Sequence, residues 1–188
     1  GGEWKTYTAP FKFTQAGVIQ AQRQVSGGLP GGLAKLKLDK IIPLRVLSKK
    51  KWKVIQADSM EPGEGELHHI IDNKPRTFWH TNWSSSKEKY PHEIQVDLGE
   101  ELNLLGFTQL PRQGQANGRI RKYSCYLSRD GKDWGQPAIE GEFLNSSTLQ
   151  EVKFGQTIPA RYIRIVAHNE WNGNFFASMA ELDVMAAK

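Results

Sequence analysis

Ile94-Gln95-Val96-Asp97-Leu98-Gly99 is the stretch whose reading decides the fold. Ile94, Val96 and Leu98 alternate with polar residues, so they share one face of a pleated strand. Gly99 is expected to close it. Working outward, short strand-like runs recur between turn signals. Trp52 to Ile55 reads as the opening strand of the main domain, and Leu104 to Leu110 follows Gly99. Tyr123 to Ser128 ends at Arg129-Asp130-Gly131-Lys132, a good hairpin turn. Phe143, Val152 to Phe154, Arg161 to Val166 and Glu181 to Met185 complete the series. Frequent Gly and Pro, with no convincing amphipathic helix, predict an all-β sandwich or jelly roll.

The 188 residues suffice for one domain with a good core, or for one domain plus a fragment. The net charge of +5 is a mild excess of scattered basic residues. Lys49-Lys50-Lys51 with Lys53 reads as a solvated linker, because no aromatic platform interleaves it as a nucleic-acid surface would require. Cys125 is the only cysteine, which excludes an intrachain disulfide and a multi-cysteine zinc site. It reads as core. No apolar run approaches the roughly 20 residues that span a bilayer. Gly1-Gly2 reads as a remnant of expression, so native targeting is not legible. The expected division is a partial β segment with linker over 1–50 and a main domain over 51–188. In the first part Phe11 with Phe13, and Val18-Ile19 with Ala21, read as two strands around Gln15-Ala16-Gly17. Leu33, Leu36 and Leu38 suggest a third.

Asp72 to Trp83, reading DNKPRTFWHTNW, concentrates polar and aromatic groups. An imidazole at His80 near the flat ring of Trp83 suits a sugar, which needs directional hydrogen bonds and an aromatic surface for its C–H face. Asp72 and Thr77 are oxygen donors of the kind a hard cation takes. Trp79 reads as core.

Residues 52 to 185 resemble a discoidin (coagulation factor 5/8 type C) domain of the carbohydrate-binding module family 32 type. The resemblance is carried by Ile71-Asp72-Asn73, Thr77 to Thr81, Pro91-His92 with Ile94 to Gly99, and Pro111-Arg112-Gln113. It continues in Tyr123 to Ser128, Asp130-Gly131, Trp134, Ala160 to Arg164 and Ala180-Glu181-Leu182. It implies an eight-stranded jelly roll of the galactose-binding-domain type. More weakly, Tyr7 to Phe11 and Ala16 to Ala21 resemble the tail of the β-sandwich that follows the barrel in chitobiase and β-hexosaminidase-type enzymes.

The family resemblance implies a sugar pocket built from His80, Arg112 and Asn117, with Trp83 as the first aromatic. Phe176 is the expected last aromatic, Phe175 the next choice, Trp171 an additional wall, and Glu64 an auxiliary carboxylate. It also implies a structural Ca²⁺ held by Asp72, Thr77 and Glu181 with backbone oxygens of His69, Lys74 and Ala180. Asn73 stands where Gly is usual, which a positive φ tolerates. Lys74 stands where Asp or Asn is usual, so only its carbonyl suits the metal. His68-His69 resembles a metal pair, but neighbouring side chains in extended chain diverge.

These expectations describe a non-catalytic, monomeric module of a secreted bacterial glycoside hydrolase such as a β-hexosaminidase or α-fucosidase. It would bind galactose or N-acetylgalactosamine-type terminal sugars, outside the cytoplasm, without nucleic acid or membrane insertion. Hydrolysis would need two carboxylates flanking one bond, and no second motif supplies them. The competing expectation is a protein- or phospholipid-binding discoidin adhesion domain.

Overall fold

β5 (His92–Leu110) and β8 (Gln150–Ala167) are the two long strands around which the main unit is built. The computed structural model describes Thr6 and residues 17–22, 33–38, 44–86 and 88–188. Phe11 and Phe13, expected as a strand, lie outside the described residues. Two compact units are present, Gly1–Pro43 and Leu44–Lys188. In the first, β1 (Gly17–Gln22) and β2 (Leu33–Leu38) pair antiparallel, with Gly17 opposite Leu38.

The division between units precedes Leu44, ahead of the boundary expected at residue 50. Leu44 bridges Ala187, and Arg45 N–H donates to Ala186 O at 2.8 Å. The lysine cluster is not a free linker. Lys49–Lys51 is a 3₁₀ turn, and the Lys49 ammonium is buried against Glu181 Oε2 at 2.7 Å and Asp183 Oδ2 at 3.3 Å.

The second unit continues with β3 (Lys53–Ala57), β4 (Trp79–His80), β5, β6 (Lys122–Ser128) and β7 (Ile139–Glu142). After β8 come β9 (Ser178–Met179) and β10 (Glu181–Ala186). The strands β3 to β10 supply the eight of the expected jelly roll. Gly99 does not end its strand. The chain takes φ 77° there and the register shifts between Asp97 and Leu102, after which pairing to β8 resumes. Such an irregularity bends a strand without ending it. Val152 to Phe154 and Arg161 to Val166, read as two strands, are likewise one, β8.

The first half of β5 pairs with β3 and β8, and its second half with β10 and β8. β8 also carries β6, which carries β7. Ile94, Val96 and Leu98 are buried as their alternation requires, together with Leu104, Phe107, Ile163, Ile165 and Leu182. Trp79 is in this core, and its indole N–H donates to Ser59 O at 2.9 Å. Cys125 is fully buried, and that burial pushes its thiol far above the usual range, which disarms it as a nucleophile. Among the described residues no helix is long and apolar enough to cross a membrane.

Gly106 sits where β5, β8 and β10 meet. A Cβ there would run into Val152 O and the Met185 side chain. Gly106→Ala is expected to destabilise the unit by about 1–3 kcal/mol. Urea unfolding reads this as a lowered midpoint; an unchanged midpoint contradicts the close packing.

Candidate functional site

The chain leaves β5 at Leu110 and enters β6 at Lys122, and the intervening loop carries Arg112, Gln115 and Asn117. β4 delivers His80, with Trp83 just beyond it, and the segment before β9 delivers Phe175 and Phe176. These parts meet because β4 and β9 pair, with His80 opposite Ser178. Ser178 N–H donates to Gly118 O at 2.7 Å, and Thr81 N–H to Ala177 O at 2.9 Å.

Glu64, Trp83, Arg112, Gln115, Asn117 and Phe176 line one open pocket of about 380 Å³. A larger, more apolar hollow lies elsewhere, along Trp52, Met60, Leu67 and Ile71. Lys53, Glu66 and His68 also line it, and none of the residues expected to bind sugar lies there. The Arg112 guanidinium stacks on the Phe78 ring at 3.9 Å and reaches Glu64 Oε1 at 3.5 Å. Its Nε is buried without a partner. Burial lowers the Arg112 pKa and Glu64 acts against that; a guanidinium nevertheless stays charged.

His80 is placed differently from the expectation of direct sugar contact. It is 0% exposed and lies beneath the pocket. Trp83 stands edge-on to it at 4.5 Å, and Phe176 is tilted over it at 5.4 Å. Two apolar rings cover the imidazole because its polar atoms are already bonded. Nδ1 is 2.7 Å from Thr81 O, a carbonyl that can only accept, so Nδ1 carries the proton. Nε2 is left as the acceptor, facing Asn117 Nδ2 at 3.4 Å. Burial drives the His80 pKa down to about 4, so the ring is neutral near pH 7. His80 therefore orients Asn117, whose amide lies at the pocket.

Phe176 lines the pocket, whereas Phe175 is 49% exposed and does not line it. Trp171 is not a wall. Arg121 covers its ring at 4.7 Å, and its N–H donates to Phe143 O at 3.1 Å.

The sequence reading missed Gln115 on the rim and two buried carboxylates that hold the loops. Glu61 Oε2 accepts the N–H groups of Trp83 and Ser84 at 2.8 and 3.1 Å. Burial opposes its charge, but hydrogen bonds from Ser84 and the two backbone amides hold its pKa below the usual range. Glu170 Oε2 accepts Gly118 N–H at 2.9 Å, and its Oε1 accepts Asn174 N–H at 2.8 Å. One side chain thus joins the Asn117 loop to the Phe176 loop. Acidic residues near the site were the only available signal, and they do not reveal backbone partners distant in sequence.

The proposed cation loop is partly assembled. Both Asp72 oxygens accept from Thr77 Oγ1, at 3.0 and 2.8 Å, and Oδ1 also accepts Lys74 N–H at 2.8 Å. Asn73 has φ 60°, the conformation expected where Gly is usual. The His69 ring bonds Phe78 O at 2.9 Å, which leaves only its carbonyl facing the turn, where it accepts Asp72 N–H. Glu181 gives Oε2 to Lys49, while Oε1 is buried without a partner. Burial raises the Glu181 pKa, Lys49 opposes this, and Asp72 adds to it. An orphaned carboxylate oxygen near a second carboxylate fits a hard divalent cation, and the donor set is oxygen throughout. Among the described residues no group of three or more His, Cys, Asp or Glu side chains gathers as a metal site, so carbonyls would supply the remainder.

The F5/8 type C domain family model matches residues 54–182, and the chain belongs to that family. Galactose oxidase of Gibberella zeae is 38% identical over 174 residues, which cover 90% of this chain and 25% of that protein. A sialidase of Micromonospora viridifaciens is 33% identical over 172 residues, covering 90% and 26%. The chain thus spans about a quarter of the length of these relatives. Among solved structures, the Clostridium perfringens module CpGH89CBM32-5, in complex with GalNAc-β-1,3-galactose, is 36% identical with a TM-score of 0.69. The match covers 74% of this chain and 99% of that one. The family 32 module of C. perfringens NanJ, in complex with galactose, is 29% identical with a TM-score of 0.65, covering 73% and 95%.

Glu170→Ala removes the acceptor of the buried Gly118 amide and of the Asn174 amide and is expected to cost about 1–3 kcal/mol of stability. Hydrogen exchange at the Gly118 and Asn174 amides should accelerate. Unchanged protection at both sites would remove Glu170 as the tie between the loops.

Proposed function

We propose that this chain is a non-catalytic module that binds galactose- or N-acetylgalactosamine-type terminal sugars. The observation that carries this reading is the convergence of the Arg112 guanidinium, the Asn117 amide and the Glu64 carboxylate between two aromatic rings in one open pocket. A sugar hydroxyl both donates and accepts. Arg112 supplies donors, Glu64 accepts, and Asn117 does both. Trp83 and Phe176 offer apolar surface to the C–H face of the ring. An axial hydroxyl beside an equatorial one suits a guanidinium fork, which favours galactose-type sugars. The galactose-containing ligands of the two C. perfringens modules support the same choice. Few polar contacts in an open, wet pocket give weak affinity, on the order of 10 µM to 1 mM.

The catalytic partner in cis would be a carbohydrate-active enzyme outside the cell, as the oxidase and sialidase relatives suggest. Weak binding then acts by avidity, raising the enzyme's effective concentration at its glycan. Retention of the wild-type chain on immobilised galactose tests the reading. Arg112→Ala and Asn117→Ala are each expected to weaken retention at least about tenfold. His80→Ala should lose both retention and stability, because that ring is wholly buried. Full retention by the Arg112 variant would refute the assignment. Sedimentation with anionic vesicles in place of galactose retention would favour the adhesion-domain alternative, for which the exposed Phe175 ring beside the pocket is a supporting feature.

Ca²⁺ is the cation best suited to Asp72, Thr77 and Glu181 with the carbonyls of His69, Lys74 and Ala180. It would neutralise the Asp72–Glu181 repulsion and fix the turn preceding β4. Chelation is expected to lower the melting temperature by about 5 °C, reversed by excess Ca²⁺. Identical melting with chelator and with Ca²⁺ would dismiss the metal.

A further inference from the structure

Two hydrogen bonds from outside the pocket hold the backbone that carries Phe176. His92 Nε2 lies 2.7 Å from Phe175 O, and the Tyr90 hydroxyl donates to Phe176 O. On its other side, His92 Nδ1 lies 2.5 Å from Asp58 Oδ2. The second Asp58 oxygen accepts Glu93 N–H at 2.8 Å, which fixes the carboxylate. A carbonyl and a carboxylate both accept only, so both nitrogens of His92 are satisfied by this geometry when the ring is an imidazolium. It is 1% exposed, and neither it nor Asp58 lines the pocket.

We propose that Asp58 and His92 form a proton-dependent clamp on the Phe175–Phe176 segment, and so act as positioning residues for the sugar pocket. This role rests on the saccharide reading above. When the ring loses a proton, one nitrogen turns a lone pair toward an oxygen. Either the Phe175 bond is then lost, or the Asp58 bond that anchors the ring is; the Tyr90 hydroxyl remains as the firm tie, and Phe176 is held less tightly over His80.

The groups facing the ring come from three elements. Asp58 follows β3, Glu88 and Tyr90 precede β5, and His80 lies on β4. Burial opposes the His92 charge, but the bonds to Asp58 and Phe175 O, with the charges of Asp58 and Glu88, hold its pKa above the ordinary value. Tyr90 is pushed well above its ordinary value by burial and by Glu170, so it stays neutral. His80, held to about 4, also stays neutral. A raised pKa means that the clamp is closed at low pH and opens as pH rises through the raised value.

The test is an NMR titration of the His92 ring nitrogens and the Phe176 ring protons without sugar, from about pH 6 to 9. Galactose calorimetry runs over the same range. His92 is expected to titrate above its ordinary value, with Phe176 signals following the same midpoint and galactose affinity falling about tenfold across it. His92→Gln should give a pH-independent affinity, and Asp58→Asn should move the midpoint down. Phe176 signals that ignore the His92 titration, or a His92 midpoint at or below the ordinary value, would overturn the clamp. Coupled titration in a chain that binds no galactose at any pH would instead overturn the saccharide reading and leave the clamp standing.

Discussion

The hydrogen-bonded ladder between β5 and β8 is the constraint on which everything else hangs. It runs from His92 opposite Ala167 to Gln109 opposite Gln150, interrupted only by register shifts. Through it one half of the sandwich is registered to the other. β3, β6 and β7 are carried at one half and β10 at the other. A slip of one residue would exchange the buried and exposed faces of both strands together. Because the ladder fixes where Leu110 ends and where Ala167 ends, it also fixes where the loops beyond them begin.

Loops by themselves do not hold side chains to ångström precision, and here buried charge does so. Glu61 bonds the backbone at Trp83, Glu170 joins Gly118 to Asn174, and the Asp58–His92 pair bonds Phe175. Glu61 and Glu170 direct their charge to backbone amides, so neither buried carboxylate is left uncompensated in the low-dielectric interior. The pocket residues inherit this rigidity. Arg112 is also braced by the face of Phe78. The ordering cost of binding is thereby met during folding, which matters most for a ligand that offers few contacts.

Much of the architecture was legible in the sequence because alternation is a local property. Ile94, Val96 and Leu98 declared their face, as did the Arg161 to Val166 run. Strand length was not legible. Gly99 and the segment after Phe154 look like stops in one dimension, and only cross-strand pairing shows that the chain bends and continues. The pocket was legible as residue types: Glu64, Trp83, Arg112, Asn117 and Phe176 do converge. The depth of His80 was not, since it depends on two rings from distant segments closing above it. Glu61, Glu170 and the partners of His92 act on backbone atoms, which carry no sequence signature. Lys49 was misread for a similar reason, as its partner Glu181 lies at the other end of the unit.

The way the second unit is entered and left has a mechanical consequence. Leu44 and Arg45 lie against Ala187 and Ala186, so the incoming and outgoing chain are adjacent. β10 starts opposite Leu110, beside the pocket loops, and runs to Ala186 opposite Leu104, about 20 Å away. A load on either end of this unit therefore enters at one edge, remote from the loop that carries Arg112 and Asn117, and is borne by β10 and β5 before it reaches that loop.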